Sequence, residues 1–262
     1  MRLIRAVFVF IVGAVVSLAL TYALVIRPRV RAWGGDPTEA DLALPGDDLV
    51  PEATATETRG VTIEGPVSKV WPYLVQMGFG RAGWYSYDRL DNKGASVEEI
   101  VPEFQHLEAG DIMPVSPGGG FEVKTVDFER ALVLYTDTAV VRTQAEKAQA
   151  EGKDELPTPG LKASGAMLNA SYPEFSASWA FFLKPTDNGM TRLVERVRIK
   201  TPGNAPASAV LGEVMGTGII LMTRKQMLHI KELVEKPAQP TEEIEPAAPV
   251  EPAATAEPSF AN

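Results

Sequence analysis

Glu195 is the residue whose setting says most about possible chemistry. It stands in Met190–Lys200, where Thr191, Leu193, Glu195, Val197 and Ile199 fall on one face of an alternating strand. Arg192, Arg196, Arg198 and Lys200 fall on the other. A carboxylate among Leu193, Val197 and Ile199 is costly unless it is paired. Two readings stay open. One is an ion pair with an arginine, or a sheet end open to water; the other is a cavity carboxylate that orients a ligand hydroxyl or works as a general acid–base. Trp84, Tyr85 and Tyr87 form a second focus, either as core packing or as a cavity wall for an amphipathic ligand. Trp179 and Phe181, on one face of the alternating segment Phe175–Lys184, extend both readings.

The remaining chemistry is mostly exclusion. The 262 residues contain no Cys and only two His, which rules out disulfides, thiolate metal sites and cysteine nucleophiles. His106 and His229 lie in no context that marks a nucleophile, and no metal site or cofactor is expected. Gly78-Phe79-Gly80-Arg81-Ala82-Gly83 matches the GxGxxG pattern. That pattern holds a pyrophosphate only between a strand and a following helix, and here a helical stretch precedes it. Ser116–Gly120 lacks the Lys-Ser/Thr of a phosphate loop and reads as a hairpin turn. Asp88, Arg89 and Asp91 read as a polar network at a loop-to-helix junction. Asn169-Ala170-Ser171 is a three-residue glycosylation pattern without supporting context. A formal net charge of −9 argues against nucleic acid as a partner.

That charge is unevenly spread over the elements that must position these residues. Residues 1–35 carry five Arg and no acid, whereas residues 236–262 carry Lys236 against five Glu. Ala6–Ile26 holds no charge and is rich in Val, Leu, Ile and Phe. As a helix it would span roughly 31 Å, about one hydrocarbon core. Residues 1–29 are therefore expected to be a single-pass transmembrane anchor with basic flanks, in contact with membrane through residues 6–26. The side of the membrane is left open, because arginines flank both ends. Residues 30–57 read as an irregular leader with at most a short helix near Pro37–Leu42. Residues 58–235 read as the body, and the Pro/Ala/Glu-rich 236–262 as a disordered tail.

Within the body, alternation and turn residues predict strands at Thr58–Glu64, Asp111–Val115, Gly120–Asp127, Ala131–Asp137, Phe175–Lys184 and Met190–Lys200. Helices are expected over Val67–Met77, near Asp88–Asn92 and Ser96–Ile100, and over Ala207–Glu235. Residues 139–174 break the pattern and read as an insertion or lid, with Val141–Glu151 able to form an exposed helix. In the last helix Gly212 and Gly216 are four apart with Gly218 beyond, which points to close sheet approach or to room for a ligand. Met215 and Met222 are adaptable walls in either case. Antiparallel strands bracketed by helices describe an α+β fold.

Several words of the sequence carry a resemblance. Leu44-Pro45-Gly46-Asp47-Asp48-Leu49-Val50-Pro51 precedes Val70-Trp71-Pro72-Tyr73-Leu74-Val75-Gln76-Met77-Gly78. Arg81-Ala82-Gly83-Trp84-Tyr85-Ser86-Tyr87-Asp88 and Gly110-Asp111 follow. Together they resemble the START-like (SRPBCC, polyketide cyclase/dehydrase-like) superfamily, and within it membrane-anchored bacterial proteins of unassigned function. The resemblance covers roughly residues 27–235. It implies a helix-grip fold, a curved antiparallel sheet wrapped on a long C-terminal helix with a deep apolar cavity between them. It also implies hydrophobic ligands such as lipids, and supplies no catalytic signature.

The function expected from these readings is membrane-tethered binding of a lipid or other hydrophobic small molecule. Trp84, Tyr85, Tyr87, Trp179, Phe181, Glu195, Met215 and Met222 are the expected cavity residues. Two alternatives remain: a cyclase/dehydratase-type enzyme using Glu195, and an anchored interaction protein.

Overall fold

In the computed structural model, residues 2–26, 33–92, 94–116, 118–152, 174–201 and 206–237 are described. Six strands form one antiparallel sheet: β1 (Ala55–Ile63), β2 (Ile112–Ser116), β3 (Gly119–Asp127), β4 (Ala131–Asp137), β5 (Ser176–Pro185) and β6 (Thr191–Lys200). Their spatial order is β1-β6-β5-β4-β3-β2, so the five consecutive strands β2 to β6 lie side by side and the first strand returns beside the last. The helices are α1 (Arg2–Thr21), α2 (Pro37–Asp41), α3 (Val67–Val75), α4 (Asp88–Asp91), α5 (Thr138–Ala150) and α6 (Pro206–Glu235). Ser96–Ile100, expected to be helical, is irregular, and the turn of 3-10 helix falls at Pro102–Phe104 instead, opened by Pro102.

The inner face of the sheet is built from the positions that alternation selects. Val61 and Ile63 of β1, Phe181 and Leu183 of β5 and Leu193 of β6 join Val70, Trp71, Leu74 and Val75 of α3 in one buried cluster. Met227, Ile230, Leu233 and Val234 of α6 close the cluster from the far side. Fully burying a side chain of this size contributes roughly 1.5–3 kcal/mol, which is what holds two helices on the sheet.

The outer face is also covered, where alternation shows only a row of basic residues. The leader crosses β6, and the outward arginines hold its backbone. Arg196 is 2% exposed. It donates to the carbonyls of Leu42 (2.6 Å), Glu39 (2.6 Å) and Ala40 (3.1 Å), to Asp47 (2.7 Å) and to Thr58 of β1 (3.0 Å). Arg198 donates to the carbonyls of Val50 and Pro51, and Arg192 to Glu39 and the Gly34 carbonyl. Leu44 and Val50 of the leader are themselves buried. A close approach requires glycine at Gly34, whose φ is +65° and where a Cβ would lie 2.1 Å from the Gly60 carbonyl oxygen. Asp36 caps α2 through a reciprocal capping box with Glu39, so one carboxylate serves both the helix start and the Arg192 contact.

Two expectations are corrected here. The first is the transmembrane anchor, and with it the single-pass membrane location. Among the described residues no helix is long and apolar enough to cross a membrane. Arg2 and Arg5 occupy the first turn of α1, and α-helix ends at Thr21 before the π-helical turn Tyr22–Ile26. The uncharged α-helical part, Ala6–Thr21, then reaches only about 24 Å at ~1.5 Å per residue, short of the ~30 Å hydrocarbon core. The second is the helix-grip architecture. The six-stranded antiparallel α+β arrangement stands, but among the described residues α3 and the segment Met77–Tyr85 pack into one buried core with the sheet and the last helix, where the helix-grip reading expects a deep cavity. Residues 27–32, residues 153–173 of the expected lid, and the tail from residue 238 onward lie outside the described residues.

The leader clamp makes two outcomes measurable. Arg196→Met leaves five acceptors without their donor and is expected to cost about 3–5 kcal/mol in urea unfolding. Burial opposes ionisation of Glu39, but the Arg192 hydrogen bond and the Asp36 amide outweigh it and hold the carboxyl below its ordinary range. The stabilisation is therefore present at neutral pH and lost as pH falls through the lowered value. Amide protection factors over residues 36–42 should drop in acid before those of β4 and β5.

Candidate functional site

The inner face of β1 repeats the pattern of β6. Counting back from Ile63 and Val61 by twos puts Arg59 and then Glu57 on the core side, and the register sets Arg59 directly opposite Glu195. Arg59 and Glu195 are both fully buried, and Glu57 nearly so. Arg59 Nη1 donates to Glu195 Oε2 at 3.2 Å and to Thr223 Oγ1 of α6 at 3.0 Å. Its Nη2 donates to Glu57 Oε2. The second Glu195 oxygen, Oε1, accepts from the Trp179 indole N–H at 2.7 Å. Burial pushes the Glu195 carboxyl up, against the lowering effects of Arg59 and Trp179. Each of its oxygens accepts a hydrogen bond from the protein, and the carboxylate is fully buried.

Trp179 lies over this pair at the centre of an aromatic group. Its ring stacks on Trp84 (5.3 Å between centroids, 13° between planes). It also meets Phe121 edge-on at 5.5 Å and Phe181 at 5.1 Å. Trp84 and Phe181 are buried, whereas Trp179 and Phe121 are half-buried and close the cluster on its open side.

The expected cavity residues thus divide. Trp84, Trp179, Phe181 and Glu195 come together. Tyr85 is fully buried elsewhere: its hydroxyl accepts from Gln76 Nε2, its carbonyl meets His229 Nδ1 at 3.3 Å, and its ring packs edge-on against Tyr73 and His229. Burial pushes the Tyr85 phenol well above its ordinary range. Tyr85 sits at φ 56°, a costly conformation for a bulky side chain, which turns it away from Trp84. Tyr87 is 46% exposed and lies at the start of α4, outside the cluster. Met222 is half-buried on α6, the Met215 side chain is outside what is described, and Gly212, Gly216 and Gly218 lie within the same helix.

The Gly78–Gly83 segment forms a closed backbone turn, with Gly78 N donating to the Gly83 carbonyl at 3.0 Å and Gly83 N to the Gly78 carbonyl at 3.1 Å. Gly83 has φ +86°, and a Cβ there would lie 2.4 Å from Ser96 Oγ. These glycines shape the turn from α3 to Trp84; the amides of Gly78 and Gly83 are spent within it and that of Gly80 donates to Asn92 Oδ1 at 3.3 Å, rather than being offered to a phosphate.

Glu57, Arg59, Thr223, Phe121 and Gln226 are the site residues that the sequence reading did not single out. Gln226 is buried on α6 beside Met77, and its Oε1 has no hydrogen-bond partner. Among the described residues no group of three His, Asp or Glu side chains is placed to hold a metal ion.

Trp179→Phe keeps the stacked ring but removes the donor to Glu195 Oε1. It is expected to destabilise the protein by about 1–3 kcal/mol in denaturant unfolding, the cost of leaving a buried acceptor unmade. An unchanged midpoint would show that the indole hydrogen bond contributes nothing.

Comparison with known proteins adds structural likenesses only. No family model matches the chain, and no curated protein matches it. Among solved structures it is similar to protein MLL2253 from Mesorhizobium loti, at 17% identity over 68% of this chain and 96% of that one, with a TM-score of 0.34. The hypothetical protein jhp0584 from Helicobacter pylori is 10% identical over 74% of this chain and 95% of that one, with a TM-score of 0.39. A protein from Nitrosospira multiformis is 9% identical over 70% and 97%, with a TM-score of 0.34.

Proposed function

We propose that the chain binds an amphipathic small molecule at the Trp84–Trp179–Phe121 cluster without transforming it. The observation that carries this reading is the half-buried Trp179. Its ring is locked by stacking on Trp84 and by its indole bond to Glu195, so a flat apolar surface is held in place before any ligand arrives. Preorganised aromatic surface binds at low entropic cost, because little side-chain freedom remains to be lost. Support also comes from the resemblance of Val70–Asp88 to the START-like superfamily, whose members take hydrophobic ligands. Catalysis by Glu195 is the weaker reading, because Arg59 and Trp179 already occupy its oxygens.

Dodecanoate and dodecanol, titrated separately into the full chain, test the proposal by tryptophan emission. At least one should give a saturable change with a dissociation constant in the micromolar range, of order 8 kcal/mol. Trp179→Ala should weaken it by about tenfold or more, whereas Trp33→Phe, outside the cluster, should leave it unchanged. Absence of saturable binding by either probe, or an unaltered affinity in Trp179→Ala, would overturn the reading.

A further inference from the structure

The turn α4 carries a charge imbalance that nothing in the aromatic cluster uses. Asp91 is 7% exposed, and neither of its carboxylate oxygens has a partner of ordinary hydrogen-bond geometry. Ser86 Oγ, in a residue 8% exposed, is likewise without a partner of ordinary hydrogen-bond geometry. Asp88 stands three residues before Asp91 on the same turn, a spacing that brings side chains onto one face. Its Oδ1 accepts from Ser96 Oγ at 2.6 Å.

Burial is the main influence on Asp91 and raises its carboxyl to about 6. Ser86 and the amides of Asp91 and Tyr87 lower it, Asp88 repels it, and no ammonium or guanidinium of the described residues offsets it. A buried carboxylate with no counter-charge is among the costliest groups a fold can carry, and a bound cation is one way such a group persists. The donors assembled here are all oxygens: carboxylates and a hydroxyl, without imidazole or thiolate. Hard cations prefer that set. Calcium accepts irregular and bidentate carboxylate coordination, while magnesium demands a near-ideal octahedron.

We propose that Ser86, Asp88 and Asp91 form a binding site for a hard divalent cation of the calcium class. Asp91 supplies both carboxylate oxygens, Ser86 the buried hydroxyl, and Asp88 the second negative charge. The cation neutralises the turn that leads from Trp84 into α4 and holds its geometry. This site is separate from the aromatic cluster, and its test does not depend on the ligand proposed there.

Terbium luminescence on the full chain provides the probe, since Trp84 lies two residues before Ser86 and can sensitise a bound lanthanide. Excitation of tryptophan should give a terbium signal that calcium displaces. With ~1 mM CaCl2 the melting temperature should rise by several degrees over NaCl of equal ionic strength. Asp91→Asn removes the unpaired charge, so it should fold normally, melt in EDTA no lower than the parent, and lose both calcium responses. Ser86→Ala should weaken calcium about tenfold. Terbium or calcium responses that persist unchanged in Asp91→Asn would overturn the proposal. So would a parent whose melting temperature ignores calcium yet rises on acidification from pH ~7.5 to ~5.5, for then a proton is the counter-charge.

Discussion

The ion pair between Arg59 and Glu195 is the constraint on which the rest of the fold depends. These residues are cross-strand partners on the inner faces of β1 and β6, the strand pair that brings the start of the body to its end. A guanidinium and a carboxylate taken fully out of water persist only if their hydrogen bonds are met. That requirement draws in Glu57, Thr223 and Trp179. Thr223 pins α6 to the sheet, and Trp179 sets the orientation of the aromatic group. One polar contact thereby fixes the register of the edge strand, the seating of the last helix and the surface offered to a ligand.

The outer face solves a related problem by other means. Arg192, Arg196 and Arg198 present planar, multiple donors, and the leader's carbonyls and carboxylates fill them one after another. Guanidinium suits this role because its donors are held in a fixed fork, so little freedom is lost per bond formed. The result is a β6 strand with charged groups buried on both faces. It carries an acid toward the core and bases toward the leader.

Much of this arrangement was legible in the amino-acid sequence. Alternation located all six strands to within about three residues, with Ala131–Asp137 matching at both ends. It also placed Glu195 on the inner face and the arginines on the outer one. Arg59 was legible too, since the period that picks out Val61 and Ile63 also selects Arg59 and Glu57 when carried backward. A strand read from its apolar residues alone simply stops too soon. The leader's role was not legible, because it has no period of its own and is ordered by backbone carbonyls that any residue supplies. Tyr85 was misplaced because its neighbour Trp84 faces the cluster, and only the left-handed backbone at Tyr85 turns its side chain elsewhere. The anchor reading failed because residue count was taken for helix length, while Arg2 and Arg5 take up the first turn and the α-helix ends at Thr21.

A double-mutant cycle on Arg59→Met and Glu195→Leu tests most directly whether the buried pair organises the fold. Each single change strands a charge in the core and should cost about 3–5 kcal/mol in denaturant unfolding. The double variant removes both charges of the pair, leaving Glu57 near the sheet end, and should cost clearly less than the two singles together, with a coupling of at least ~1.5 kcal/mol. Strict additivity would contradict the account, for then Arg59 and Glu195 would be two independent buried groups.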